Sequence, residues 1–299
     1  MSWKTMVAPL FVLPLFASAA FAQEKGGDKP AEKEKWPPKI AGVTWSEGPA
    51  TCKMRDLAEV KIPAGWTFTD GDGTRVLMRA MGNLTGTQEA GSVFPGSFDW
   101  FAVFEFDPCG YVKDEEKDDL DADEILEAKR EGNKRGNEAR KIAGLPPMEI
   151  LGWDVKPHYD QATHNLEWSV RLKSEGETTE TLNYDVRLLG RTGVMQVSLV
   201  AAPDRMAAAM PEFRRLLKDY AFISGRDYGS WRAGDKVAEY GLGALAAGGA
   251  VALAAKTGFL AKFWKFIVAG VIAAVAAVKR LFGGVKPVAK RPSSGSRPS

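Results

Sequence analysis

Histidine is scarce in this chain, and both copies, His158 and His164, fall within one stretch, GWDVKPHYDQATHNLEW. With Asp154 and Asp160 they form the one local set whose residue types can bind Zn²⁺ or exchange protons near neutral pH. The chemistry would be hydrolysis, with His158, His164, Asp154 and Asp160 as catalytic candidates and His158, His164 and Asp160 as metal ligands. The spacing matches no His-Glu-x-x-His pattern. A second reading is structural: the residues close a hairpin connection, with Asp160 and Thr163 supplying side-chain to backbone bonds. Serine–histidine chemistry would have to draw on the same two histidines. No Gly-x-Ser-x-Gly elbow, P-loop or dinucleotide-binding glycine turn is present, and no cofactor is implied.

Two other sets invite chemistry. In DEEKDDLDADE, Asp119, Asp121 and Asp123 alternate like the first ligands of a calcium loop, but Glu124 stands where such a loop needs Gly and Arg130 where it needs a bidentate Glu. A solvated helix start, favoured by the helix dipole, explains the run better. Cys52 and Cys109 are the only cysteines, and in an oxidising compartment they can pair as a disulfide.

The elements that must position these residues follow from periodicity. Ala58–Ile62 and Trp66–Thr69 read as short strands, the second ended by the turn Asp70-Gly71-Asp72-Gly73, Thr74–Met81 as a helix capped near Asp72 or Thr74, and WFAVFEF (100–106) as a buried strand. Asp121 with Glu124 fits a capping box for an exposed helix. Between Glu149 and Ala201, four strand-like segments joined by short connections predict an antiparallel meander. In the second of these, Leu166, Trp168, Val170 and Leu172 alternate with Glu167, Ser169, Arg171 and Lys173, which predicts one buried and one wet face. An amphipathic helix from Pro203 to Tyr220 then covers the sheet. The fold class is α+β, an antiparallel β-meander sheet with covering helices, plus a C-terminal membrane helix pair.

That pair is read from an apolar, Gly/Ala-rich end. Val237–Ala255 and Phe259–Val278 reach spanning length if Glu239, Lys262 and Lys265 snorkel, and Ala244, Gly248 and Ala252, then Gly270 and Ala274, recur at the spacing that packs membrane helices. The N-terminal MSWKTMVAPLFVLPLFASAAFA has the layout of a cleavable export signal. The expected organisation is a signal peptide over 1–22, a disordered linker over 23–39, a periplasmic α+β domain over 40–235, membrane-anchoring helices over 236–282 and a disordered basic tail over 283–299. All 38 acidic residues but only 30 of the 40 basic ones lie within Gln23–Tyr240, so that stretch carries about −8. An acidic body argues against nucleic acid as a ligand, and the basic end suits anionic lipid.

The segments IPAGWTFTDGDGT, DWFAVFEFDPCGYVKDEEKDDLDADEIL, PHYDQATHNLEW, LNYDVRLLGRTGVMQVSLVA and DKVAEYGLGALAAGGAVALAAK resemble a bacterial family of predicted membrane-anchored proteins of unknown function. The resemblance covers roughly Ile40 to Lys279 and implies export, a C-terminal anchor and a Gram-negative envelope setting. It brings no activity and no catalytic residue. The expectation is therefore a non-enzymatic envelope protein, anchored in the inner membrane, whose periplasmic domain binds an envelope protein or cell-wall partner. Its alternatives are a hydrolase or metalloenzyme centred on the two histidines and an oligomerising membrane effector.

Overall fold

The computed structural model describes residues 37–249. In chain order its elements are strands β1 (Ser46–Glu47), β2 (Ala50–Met54), β3 (Ala58–Ile62) and β4 (Thr67–Asp70), helix α1 (Gly71–Ala80), and strands β5 (Glu89–Phe94) and β6 (Trp100–Asp107). Helix α2 (Ala122–Ile142) leads into β7 (Met148–Asp160), β8 (Asn165–Ser174), β9 (Glu180–Leu189) and β10 (Val194–Ala201). Helix α3 (Pro203–Lys218), strand β11 (Tyr220–Phe222), a 3₁₀ turn (Tyr228–Ser230) and helix α4 (Leu242–Ala247) follow.

Eight strands form one antiparallel sheet in the order β1-β4-β5-β6-β10-β9-β8-β7, and β11-β3-β2 form a second, smaller one. The meander is the β7–β10 run, with β10 returning to pair with β6. Because successive side chains point to opposite faces, the central strands β6, β9 and β10 each contribute to more than one core. Tyr184, Val186 and Leu188 of β9 and Met195, Val197 and Leu199 of β10 face α3 and the small sheet. Leu166, Trp168 and Val170 of β8 pack with Ile125 of α2 and with α4, while Phe101 and Val103 of β6 meet Leu77 and Met78 of α1.

Local chemistry sets the helices. Asp121 Oδ1 accepts from the backbone N–H groups of Asp123 and Glu124, which caps α2. In α1 the cap is Asp70, whose Oδ1 accepts from Gly73 N, so the DGDG stretch is the first helical turn and not a loop before it. Helix α3 starts on Pro203, whose fixed φ and missing N–H suit a first helical position. Its stripe Met206, Ala209, Phe213 and Leu216 lies on the sheet, with Phe213 edge-on to Trp100 and Tyr184.

The C-terminal expectation is overturned where the structure describes it. Instead of a membrane helix over Val237–Ala255, Ala238 N donates to Tyr111 O, and α4 is six residues long. At 1.5 Å per residue it spans about 9 Å, against about 30 Å of bilayer hydrocarbon. Gly248 (φ +121°) and Gly249 (φ +68°) end it in a backbone region that favours glycine. Leu242, Leu245 and Ala246 are buried against α2 and the sheet, so the apolar pattern is that of a short core helix. Among the described residues no helix is long and apolar enough to cross a membrane. Ala244 sits in α4 and Gly248 caps it. The second expected span, with Gly270 and Ala274, lies outside the described residues, as do Ala252, the signal peptide, most of the linker and the basic tail. Expectations built on the anchor fall with it: the inner-membrane location with a periplasmic main domain, the lipid partner, the envelope-protein or cell-wall partner and the membrane effector.

Candidate functional site

A cleft of about 870 Å³ opens beside the β7–β8 turn, walled by the end of α3, by β11 and by the 3₁₀ turn. Its floor is a charged network that begins with register. In the β8–β9 pairing Glu167 stands opposite Val186, and Tyr184 lies two residues along on the same face, within diagonal reach. Helix α3 carries Arg214 over both. Arg214 Nη1 donates to Glu167 Oε1 (2.7 Å), and Nη2 lies 2.6 Å from Oε2 and donates to Tyr184 Oη (2.7 Å). Tyr184 Oη in turn donates to Oε2 (2.7 Å).

The face expected to be wet is therefore closed over here, and Glu167 is only 1% exposed. Burial by itself would raise the Glu167 pKa, but hydrogen bonds from Arg214 and Tyr184, together with the Arg214 charge, bring it below its ordinary value. Tyr184 is driven upward by burial and by its bond to Glu167. Arg214 is raised by its bond to the carboxylate.

The structure brings His158, His164 and Asp160 to this cleft, but it gives the histidines different partners. Strand β7 runs on to Asp160, so the connection is shorter than the sequence suggests. His158 pairs in register with Glu167, and its Nε2 lies 3.9 Å from Oε2. Tyr159 points to the opposite face and donates to Asp114 Oδ2 (3.0 Å). With its only proton committed there, Tyr159 Oη accepts from His164 Nδ1 (3.0 Å). Asp160 Oδ1 accepts from Ala162 N, which lowers its pKa. Asp154 is exposed and does not line the cleft.

Among the described residues, no group of three or more His, Cys, Asp or Glu is placed to hold a metal ion. The metalloenzyme or hydrolase centred on the two histidines is overturned: alternation along β7 and the tight turn commit each imidazole to a separate pair. Cys52 and Cys109 are both free. Cys52 is buried in the core beneath the small sheet, Cys109 packs beside the α2–α4 core, and burial pushes both thiols up to about 11.

Four residues of the site carry no local signature: Glu167, Tyr184, Arg214 and Tyr228. Glu167 and Arg214 are 47 residues apart, so only the docking of α3 on the sheet makes them a pair. Tyr228 stacks on Tyr111 at 4.5 Å and sits 5.0 Å from His164, and Trp231 joins the same cluster, 5.6 Å from Tyr111.

Fold and cleft define an α+β domain with a covered antiparallel sheet and a mixed polar and apolar cleft at one end of the meander. The chain belongs to the family described as protein of unknown function, DUF2167, whose profile matches residues 46–279. Membership brings no activity, and the membrane-anchored character attached to the sequence resemblance finds no support in the described residues. No curated protein matches the chain. Among solved structures it is similar to cyanobacterial PsbP (CyanoP) from Synechocystis sp. PCC 6803, at 13% identity over 62% of this chain and 95% of that one, with a TM-score of 0.36. It is also similar to the Ran-binding protein Mog1p of Saccharomyces cerevisiae, at 8% identity over 62% of this chain and 100% of that one, with a TM-score of 0.31. Likenesses this distant carry nothing about ligand or partner.

Proposed function

We propose that the domain is a non-catalytic ligand-binding module whose cleft takes a small organic molecule. The observation that carries this reading is the coexistence, in one cleft of about 870 Å³, of an apolar wall (Leu188, Leu217, Phe222) with a fixed polar floor (Glu167, Arg214). That volume and mixture suit a metabolite-sized ligand, for which sites of roughly 300–1,000 Å³ are usual. Glu167, Asp160 and Asp227 are lowered while Tyr159, Tyr184 and Tyr228 are raised, so each of these groups moves away from neutrality and keeps one protonation state.

A saturation-transfer NMR screen of a small-metabolite library against the full chain tests the reading. Lys218 is exposed at the cleft, one helical turn beyond Arg214 on the same face of α3, so Lys218→Trp fills the space without entering the core. Hits on the wild type should vanish in that variant. Hits that persist unchanged would place binding elsewhere and refute the reading.

A further inference from the structure

We propose that the face of the large sheet turned away from α3 holds a buried site for one small inorganic anion of chloride size, bound by Lys129, Arg187 and Trp168. The site is independent of the cleft, because alternation along the strands separates the two. Trp168 follows Glu167 in β8 and stands opposite Asp185 of β9, with Arg187 two residues along on the same face. Lys129 reaches them from the buried stripe of α2. Its Nζ lies 4.6 Å from the centre of the Trp168 ring, and the Arg187 guanidinium carbon lies 4.6 Å from that ring centre as well.

Three donors of this cluster lack acceptors. Among the described residues Trp168 Nε1 and Arg187 Nε have no hydrogen-bond partner, although Trp168 is fully buried and Arg187 is 4% exposed. The Lys129 ammonium, on a residue 8% exposed, makes no hydrogen bond or ion pair among them either, and rests on the Trp168 ring alone. A buried donor without an acceptor is costly, and a buried charge without a counter-charge more so.

The charges are equally unmatched. Arg187 Nη1 donates to Asp185 Oδ1 at 3.4 Å, and that oxygen also accepts from Ser198 Oγ at 2.6 Å. Asp185 thus answers one cation and forms no ion pair with Lys129. A second carboxyl, Glu105, lies across Gln196 from Arg187, but burial and then the facing Glu89 push its pKa up to about 8, so it is mostly protonated at pH 7. Glu89 itself lies 3.5 Å from Arg75 of α1. Burial lowers Lys129 only to about 8, which leaves its ammonium in place at pH 7. Two cations against one carboxylate leave one positive charge, which an anion neutralises and water does not. Such low exposure of the donors gives an extended ligand no entry, so the anion is compact and singly charged.

Thermal unfolding of the full chain at pH 7 and constant ionic strength tests the site, with gluconate, too large to enter, replaced stepwise by chloride. The wild type should show a saturating rise in Tm of about 3 °C or more, since an ion held only by the folded chain stabilises it by mass action. Lys129→Met, which keeps the apolar stem and removes the charge, should lose the rise. Trp168→Phe, which removes one donor, should need about threefold more chloride for half of the effect. A wild type with no rise, or one that never saturates, overturns the inference. So does a rise of equal size in Lys129→Met, because chloride then acts elsewhere. Should Lys129→Met fail to fold, an unchanged chloride midpoint in Trp168→Phe refutes the site and a weakened one supports it.

Discussion

Replacing Arg214 by Met tests whether the floor of the cleft is held by the charge pair described above. The substitution keeps the apolar stem and removes two donors from Glu167, whose carboxylate side chain is 2% exposed. Breaking a buried pair in this way costs about 3–5 kcal/mol, because the remaining charge stays desolvated. Arg214 itself is 41% exposed, so solvent already screens part of the attraction, and a loss of about 2–3 kcal/mol is expected near pH 7. In thermal unfolding that corresponds to a drop of roughly 4–12 °C for a domain of this size. The pH dependence identifies the cause. In the wild type Glu167 is depressed below 4.5, so its contribution is present above that value and is lost only as pH falls through the folded pKa. In Arg214→Met the carboxyl, buried without its cation, should titrate above 4.5. The variant should then regain stability between about pH 7 and pH 5 by taking up a proton. Arg214→Met/Glu167→Gln should recover at least half of the loss at pH 7. Urea denaturation followed by circular dichroism at both pH values measures all three. A loss below about 0.5 kcal/mol at pH 7, or one of equal size at pH 5, would refute the account of the network.

Two further expectations concern the scaffold. Glu105 is buried opposite Glu89 in the β5–β6 pairing, and burial, then the Glu89 charge, push its pKa up to about 8. A raised acid favours the fold below its ordinary pKa, so stability should decline as pH rises from 4.5 through 8, by on the order of 5 kcal/mol from this group; Glu105→Gln should flatten the profile, and an unchanged slope in denaturant titrations from pH 5 to 9 would count against it. At Gly193 an added Cβ would lie 2.1 Å from the carbonyl oxygen of Asp107, a backbone atom fixed by the β6–β10 ladder, so Gly193→Ala should cost about 1–3 kcal/mol in thermal unfolding, and a neutral result would show that the β9–β10 turn can move.

How far the sequence reveals this molecule depends on the range of each interaction. Where the signal is local it is legible: WFAVFEF predicts β6, the alternation of β8 predicts its buried Leu166–Leu172 face, and Asp121 predicts the cap of α2. The DGDG stretch misleads because its glycines serve close approach as well as turning. A Cβ at Gly73 would lie 2.0 Å from Thr69 Oγ1 and one at Gly71 2.1 Å from Glu89 O, so these residues let α1 begin against the sheet with Asp70 as its cap. The segment from Val237 misleads for another reason, since an apolar Gly/Ala pattern cannot distinguish lipid from a core as its destination. Two adjacent glycines at positive φ decide it by stopping α4 after Ala247.

The site is the least legible part because its parts are distant in sequence. The histidines attract attention as rare, reactive residue types, yet the pleat of β7 turns His158 toward Glu167 while the turn carries His164 to Tyr159. The polar face of β8 reads as wet because periodicity records only that a face is polar, not whether a helix lies across it. Phe213 settles that: its burial between Trp100 and Tyr184 fixes the azimuth of α3, and the next residue, Arg214, is thereby placed over Glu167. The same apolar contact that covers the sheet thus sets the polar floor of the cleft, so a substitution at Phe213 should disturb core and site together, whereas one at Arg214 should reach the site first.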